Sequence, residues 1–353
     1  MFDREPIDRS RIRRILIRAT NWVGDMVMSL PAFDAVRENF PESRIVVLAR
    51  PWVSPILEDH PAVDQVIPFG KGNGWPSRLM EFLRTARMIR MMNFDLAVLF
   101  QNAFEAALLA HLGNIRYRVG YNTDGRGFLL THPVNKKLFK TGSHEVEYYL
   151  LILRAMGWTA IRRDPLITVG KAHLEIAMSM LRSRGIDKDD LLVGLSPGAI
   201  YGPAKRWPAE NFAAIGDYAA DRWGARVIIF GSKSEREICN SVAKAMKNAP
   251  LNICGSTDLM QAAAILKMCS FFVTNDSGLM HVAASMDVPT VAIFGSTDHI
   301  ATGPLSRKAK VVRRETDCAP CFKQECPKDF QCMLGIRPDD IWKELEILKE
   351  ESY

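Results

Sequence analysis

Short runs of consecutive apolar residues alternate along the chain with longer stretches in which apolar positions recur every three or four residues. In the first half the short runs are RILIRA (14–19), RIVVLA (44–49), QVIPF (65–69) and DLAVLF (95–100). In the second half they are LLVGLSP (191–197), ARVIIFG (225–231), LNICG (251–255), FFVTN (271–275) and TVAIFG (290–295). Runs that are apolar throughout, rather than at every second position, predict strands buried on both faces, as in a parallel sheet. The intervening stretches, among them MVMSLPAFDAVRENF, SRLMEFLRTARMIRMM, AENFAAIGDYAADRW, SEREICNSVAKAMK, DLMQAAAILKMC and GLMHVAASM, carry the helical period. The series occurs twice, bridged by HEVEYYLLILRAMGW and KAHLEIAMSMLRSRG. The expected fold is α/β, two doubly wound Rossmann-like domains (1–175 and 176–353) facing a central cleft, with functional loops at the carboxyl ends of the strands. A last helix, DDIWKELEILKEE, is expected to pack back across one of them.

A length of 353 residues suits two domains with a full core each. Lys and Arg outnumber Asp and Glu by 46 to 40, and the resulting charge of +6 favours anionic partners. Part of the excess lies in RSRIRRILIR (9–18), and part in 78–92, where Arg84, Arg87 and Arg90 fall at helical spacing among Leu, Phe and Met. That second segment reads either as a solvated face over a core stripe or as a face that meets an anionic membrane. No apolar run approaches the roughly 18 residues of a membrane span. The opening MFDREPIDRSRIRR has charge without a following apolar core, so no secretory signal is expected and the expected location is cytoplasmic. Neither an RNA-binding aromatic–basic motif nor zinc-finger spacing occurs, which leaves nucleic acid off the list of expected partners.

Three strand-end loops carry candidate chemistry. In TNWVGDMVMSLP (20–31), Gly24 permits close backbone approach and Asp25 stands where a helix begins; it either complements the helix dipole or faces a ligand. In SPGAIYGPAKRWP (196–208), Gly198 and Gly202 flank a turn that leads to Lys205 and Arg206, a pair suited to a diphosphate unless it is merely solvated. In TNDSGLMH (274–281), Asp276 is expected to cap a helix while the amides of Ser277, Gly278 and Leu279 point at an anion, with His281 one turn on. A fourth strand end, FGSKSE, offers Gly231 and Ser232 to a ribose or base. Motifs for a dinucleotide fold (G-x-G-x-x-G), a P-loop and a nucleophile elbow are missing.

The stretches NWVGDMVMSLP, PGAIYGPAKRWP and VTNDSGLMHVAA together resemble the ADP-heptose:lipopolysaccharide heptosyltransferase family, and within it the branch that adds the second heptose. The likeness runs from the first strand to about residue 300. It implies a GT-B fold and inverting, metal-independent transfer of L-glycero-D-manno-heptose from ADP-heptose to heptosyl-Kdo-lipid A at the cytoplasmic face of the inner membrane. It also implies that Asp25 is the general base, that Lys205 is the cation on the donor diphosphate, and that Asp276 to His281 cradle the donor. Asn21, Trp22, Gln101 and Asn102, at strand ends of the first domain, are the acceptor-side candidates.

CAPCFKQECPKDFQC places Cys318, Cys321, Cys326 and Cys332 within fifteen residues. This spacing fits either a structural zinc or iron–sulfur site or four reduced thiols. Transfer itself assigns the cluster no role. Two rival readings keep the fold: another heptosyltransferase of the family (I or III), and a GT-B-type nucleotide-sugar epimerase, which turns over its donor without an acceptor. A third, a non-enzymatic protein that senses nucleotide sugars, predicts binding without turnover.

Overall fold

The structure, a computed structural model, describes residues 6–70 and 74–352. The first sheet comprises β1 (Arg14–Arg18), β2 (Arg44–Ala49), β3 (Gln65–Pro68), β4 (Leu96–Leu99), β5 (Tyr117–Tyr121) and β6 (His132–Val134). Its helices are α1 (Val23–Asn39), α2 (Trp75–Met91), α3 (Phe104–Leu112) and α4 (Glu145–Arg154). The second sheet comprises β7 (Leu192–Ser196), β8 (Arg226–Ile229), β9 (Leu251–Asn252), β10 (Phe271–Asn275), β11 (Thr290–Phe294) and β12 (Ala309–Arg313). Around it lie α5 (Lys171–Arg182), α6 (Ala209–Trp223), α7 (Arg236–Ala245), α8 (Leu259–Lys267), α9 (Gly278–Ala284), α10 (His299–Thr302), α11 (Gln331–Leu334) and α12 (Pro338–Ser352).

Every strand pair is parallel, and the two sheets share one topology. The first has the order β3-β2-β1-β4-β5-β6 and the second β12-β11-β10-β7-β8-β9. In each, the chain starts in the middle, winds outward, then returns to the middle and winds the other way. The strand order therefore reverses between β1 and β4, and again between β7 and β10. Loops that leave adjacent strands in opposite directions at such a point open a crevice at the carboxyl ends. The segments following β1 and β7, and following β4 and β10, carry most of the candidate residues, and Gly231 and Ser232 follow the neighbouring β8.

Two compact units result, the first ending at Pro165 and the second beginning at Leu166. The division comes ahead of the expected 175/176 boundary because α5 packs along α8 of the second unit, and Ile167 N–H donates to Ser285 C=O at 3.3 Å. The terminal α12 belongs to the second unit too, its Ile341, Trp342, Leu345 and Leu348 packing into the same core as Phe212 and Trp207. Strands β5, β6 and β12 and helix α3 have no counterpart in the elements read from the sequence pattern.

Candidate functional site

In the second unit, the end of β10 and the loop that follows β7 are tied together by one side chain. The Asn275 amide donates to Pro197 C=O at 2.8 Å, and its carbonyl accepts from Trp207 N–H at 3.1 Å. Both ends of loop 197–207 are thereby pinned. Trp207 is fully buried, and its indole N–H donates to Ile336 C=O at 2.9 Å. On this anchored loop Lys205 holds its Nζ 2.5 Å from Asp276 Oδ2 and 4.7 Å from the centre of the Tyr201 ring. Thr297 Oγ1 donates to the same carboxylate oxygen at 2.6 Å. The two charged side chains keep only 12% and 6% of their surface exposed. An ion pair this shielded is held by strong electrostatics and leaves a costly charge if either partner is removed. Thr297 also lines a half-open recess of about 380 Å³, with Arg313, Thr316 and Pro320 on its other walls.

Asp276 therefore does not cap the following helix, contrary to the sequence expectation. The N-cap of α9 is Ser277, whose side chain makes no capping bond and lies 3.1 Å from Thr274 Oγ1. Asp276 is drawn instead to Lys205, the stronger partner for a carboxylate in a shielded place. The amides at the start of α9, those of Gly278 and Leu279, have no acceptor inside the helix. His281, expected on the ligand face, is 6% exposed.

The neighbouring strand end is built around a carboxylate that the sequence pattern did not single out. Glu235 Oε2 accepts from Ser232 N–H at 2.8 Å and from Ser232 Oγ at 2.7 Å, a capping box at the start of the turn before α7. A Cβ on Gly198 would lie 2.0 Å from Glu235 Oε1, so glycine alone lets that carboxyl come so close to the β7 loop. Gly231 is also closely packed, its missing Cβ falling 2.6 Å from Cys239 Sγ. Gly231 and Ser232 are thus held by internal contacts of the second unit. Arg206 donates from Nη2 to Ala199 C=O at 3.3 Å, while its buried Nε has no hydrogen-bond partner among the described residues. The S-x-x-E spacing of Ser232 and Glu235 is the signal that could have found this box, and it went unread.

In the first unit Asp25 lies in the first turn of α1, behind an N-cap, Trp22, that makes no side-chain cap. Asn21 accepts from Arg18 Nη2 at 3.2 Å through its side chain and from Trp52 Nε1 at 2.8 Å through its carbonyl. Trp22 is 60% exposed. After β4, the Gln101 carbonyl accepts from the fully buried Arg126, whose Nη2 also donates to Asn102 Oδ1 at 3.0 Å. The Asn102 amide donates to the Tyr148 hydroxyl at 2.6 Å. Both ends of the Asn102 side chain are thus committed to its own unit. Arg126, Tyr148 and Glu145 of α4 are the neighbours that sequence reasoning missed here.

Comparison with known proteins adds to this geometry. Residues 82–331 match glycosyltransferase family 9 (heptosyltransferase). The chain belongs to this family. Lipopolysaccharide heptosyltransferase 2 of Salmonella typhimurium is 32% identical to this heptosyltransferase, over 96% of the present chain and 99% of the relative. The solved structure of the Escherichia coli ADP-heptose LPS heptosyltransferase II superposes with a TM-score of 0.82 at 28% identity, covering 96% of this chain and all of the other. A family 9 glycosyl transferase from Veillonella parvula superposes with a TM-score of 0.88 at 25% identity, over 99% and 100% of the two chains. The α/β fold with two six-stranded parallel sheets is that of the GT-B heptosyltransferases.

The cysteine-rich segment of this heptosyltransferase corrects an expectation. Among the described residues no group of three or more His, Cys, Asp or Glu side chains is placed to hold a metal ion. Cys318, Cys321, Cys326 and Cys332 are neighbours, and burial followed by the proximity of the other three pushes the Cys332 thiol up. They do not converge on one point, because Cys332 turns into the core beside Met333 while the other three stay at the half-exposed surface. What the segment does hold is the Lys205 loop. Tyr201 Oη donates to Phe322 C=O at 2.6 Å, and Ala204 N–H donates to Gln324 C=O at 3.0 Å. No helix among the described residues is long and apolar enough to cross a membrane.

Proposed function

We propose that this heptosyltransferase moves L-glycero-D-manno-heptose from ADP-heptose to the first heptose of heptosyl-Kdo-lipid A, with inversion and without a catalytic metal. The likeness to heptosyltransferase 2 over nearly the whole chain supports the substrates. The observation that carries the chemistry is the shielded Lys205–Asp276 pair at the carboxyl end of β10, directly before α9.

In the proposed reaction a hydroxyl oxygen of the acceptor attacks the anomeric carbon of the donor. The bond from that carbon to the diphosphate oxygen breaks, ADP departs, and the hydroxyl proton passes to Asp25. One displacement on one face inverts the anomeric centre. A sugar hydroxyl is a poor nucleophile, so a positioned carboxylate that takes its proton contributes about 10² to 10⁴ in rate. Negative charge grows on the departing diphosphate. Lys205, Arg206 and the amides of Ser277, Gly278 and Leu279 oppose it, supplying what a divalent cation supplies elsewhere. Asp276 keeps Nζ aimed before the donor arrives, and His281, Gly198, Gly231 and Ser232 complete the donor side. Asn21, Trp22, Gln101 and Asn102 are proposed for the acceptor side.

The acceptor is a lipid, so the protein must work at the cytoplasmic face of the inner membrane. Helix α2 is suited to such a surface. Trp75, Leu79, Met80 and Leu83 are exposed among the exposed Arg78, Arg84 and Arg87, while Thr85, Ala86 and Ile89 face inward. The deciding experiment measures ADP release from ADP-heptose by the wild type and Asp25→Ala, with and without heptosyl-Kdo-lipid A. Release that requires the acceptor and collapses in the variant is expected. Release without acceptor would point to an epimerase or hydrolase, and donor binding without turnover would overturn the acceptor assignment.

A further inference from the structure

A second carboxylate stands beside the proposed base. Glu145 opens α4, Asp25 lies in the first turn of α1, and the two helices pack against each other in the first unit. The start of α4 is fastened to the strand ends by the Asn102–Tyr148 bond and by Tyr121 Oη, which donates to Tyr148 C=O at 2.6 Å. The turn at 136–138 reaches over the same spot, with Lys136 Nζ 5.9 Å from the centre of the Tyr148 ring. The result is a cluster at the carboxyl edge of β1, β4 and β5 in which two carboxyls share a half-buried space.

We propose that Glu145 is a positioning residue for the transfer reaction, acting through Asp25: its negative charge strengthens Asp25 as a base. The inference rests on the reading of Asp25 given above. The groups facing Glu145 are few. Asp25 comes from α1, Lys136 from the turn before α4, Tyr148 and Tyr149 from its own helix and Tyr121 from β5; Asp124 and Arg126 lie beyond Tyr148. Burial, and after it the charge of Asp25, raises the Glu145 carboxyl from 4.5 to about 7, with Lys136 pulling the other way. Repulsion between two carboxylates is reciprocal. When Glu145 is ionised, a proton arriving on Asp25 from the acceptor hydroxyl relieves it, so transfer gains driving force. When Glu145 is protonated, that gain is absent. The proton on Asp25 afterwards leaves to water with the product.

The test is the pH profile of turnover for the wild type, Glu145→Gln, Glu145→Asp and Asp25→Asn. The wild type should gain over Glu145→Gln as pH rises through about 7. The two rates should be nearly equal at pH about 6 and differ about threefold to tenfold at pH about 8, a part of what a general base contributes in all. The KM for ADP-heptose should stay unchanged, and Glu145→Asp should restore the rise. A deficit of the same size at every pH would mean a merely structural role and overturn the inference. Asp25→Asn with wild-type turnover would instead sink the reading of Asp25, whatever Glu145 does.

Folding gives a second readout. A carboxyl raised in the folded state costs nothing while it is protonated in both states and opposes folding once it is ionised in both. The penalty is absent below about 4.5, grows from there to about 7 and is complete above. Glu145→Gln should therefore melt with the wild type at pH about 4.5 and several degrees above it at pH about 8. Equal melting at both would show that Glu145 does not titrate in this way.

Discussion

Lys205 is asked to do two things, and they can be separated. It neutralises a shielded Asp276 in the resting protein and, in the proposed reaction, a departing diphosphate. Lys205→Met removes both services. With the carboxylate left unpaired beside Thr297, stability should fall by about 3 kcal/mol, and turnover by about 10² to 10³. Adding Asp276→Asn takes away the stranded charge. The double variant Lys205→Met/Asp276→Asn should recover most of the melting temperature and none of the turnover. If it recovered turnover as well, the lysine would be a structural group and the diphosphate would be met by something else. Asp25→Asn should behave differently from both, folding at least as stably as the wild type, because it relieves the repulsion on Glu145, while losing about 10² or more in rate.

At the scale of elements, the strap between the Lys205 loop and the cysteine-rich segment makes a sharper statement than the cysteines themselves. A Cβ on Gly202 would sit 2.3 Å from the Gln324 carbonyl oxygen, a backbone atom that cannot swing away. Gly202→Ala should cost about 1–3 kcal/mol in a thermal melt and raise the KM for ADP-heptose several-fold, because the loop that presents Lys205 shifts. Since the strap consists of hydrogen bonds to the Phe322 and Gln324 carbonyls, chelators should change neither melting nor turnover. Much of this unit was legible beforehand: FFVTN, TVAIFG and AENFAAIGDYAADRW coincide with β10, β11 and α6 to within a residue. What escaped has physical reasons. YRVGY (117–121) breaks its apolar run with Arg118 and Gly120, HPV (132–134) is only three residues long, and the β12 strand AKVVR is half-exposed at a sheet edge. The Lys205–Asp276 pair joins residues 71 positions apart, and Asp276 followed by Ser277 and Gly278 reads locally as a helix cap. Nothing local says that a lysine from another loop will claim that carboxylate. The four cysteines misled in the opposite sense, since spacing alone does not make sulfurs converge.

For the whole molecule the charge of +6 becomes consequential through its distribution. Helix α2 exposes Trp75 at 76%, Met80 at 53% and Leu83 at 52%, far more apolar surface than a helix facing only water retains. Glu81 is the only acidic residue on it, against four arginines. An apolar face rimmed by arginine binds anionic lipid by two additive routes, burial of the side chains among the headgroups and attraction at about 1 kcal/mol per basic residue. Four signatures should follow in a flotation assay with the intact protein. Vesicles rich in anionic phospholipid should carry it and zwitterionic ones should carry far less, and raising salt from about 0.05 to 0.5 M should weaken the attachment by shortening the screening length. Arg84→Glu/Arg87→Glu should lower binding by at least about thirtyfold, the equivalent of two lost attractions at about 1 kcal/mol each. Trp75→Ser/Leu83→Ser should lower it at high salt too, where only the apolar contribution remains. With a water-soluble, delipidated acceptor all of these variants should turn over like the wild type. Slower turnover there would place α2 in the acceptor site itself, and unchanged flotation would remove α2 from the membrane altogether.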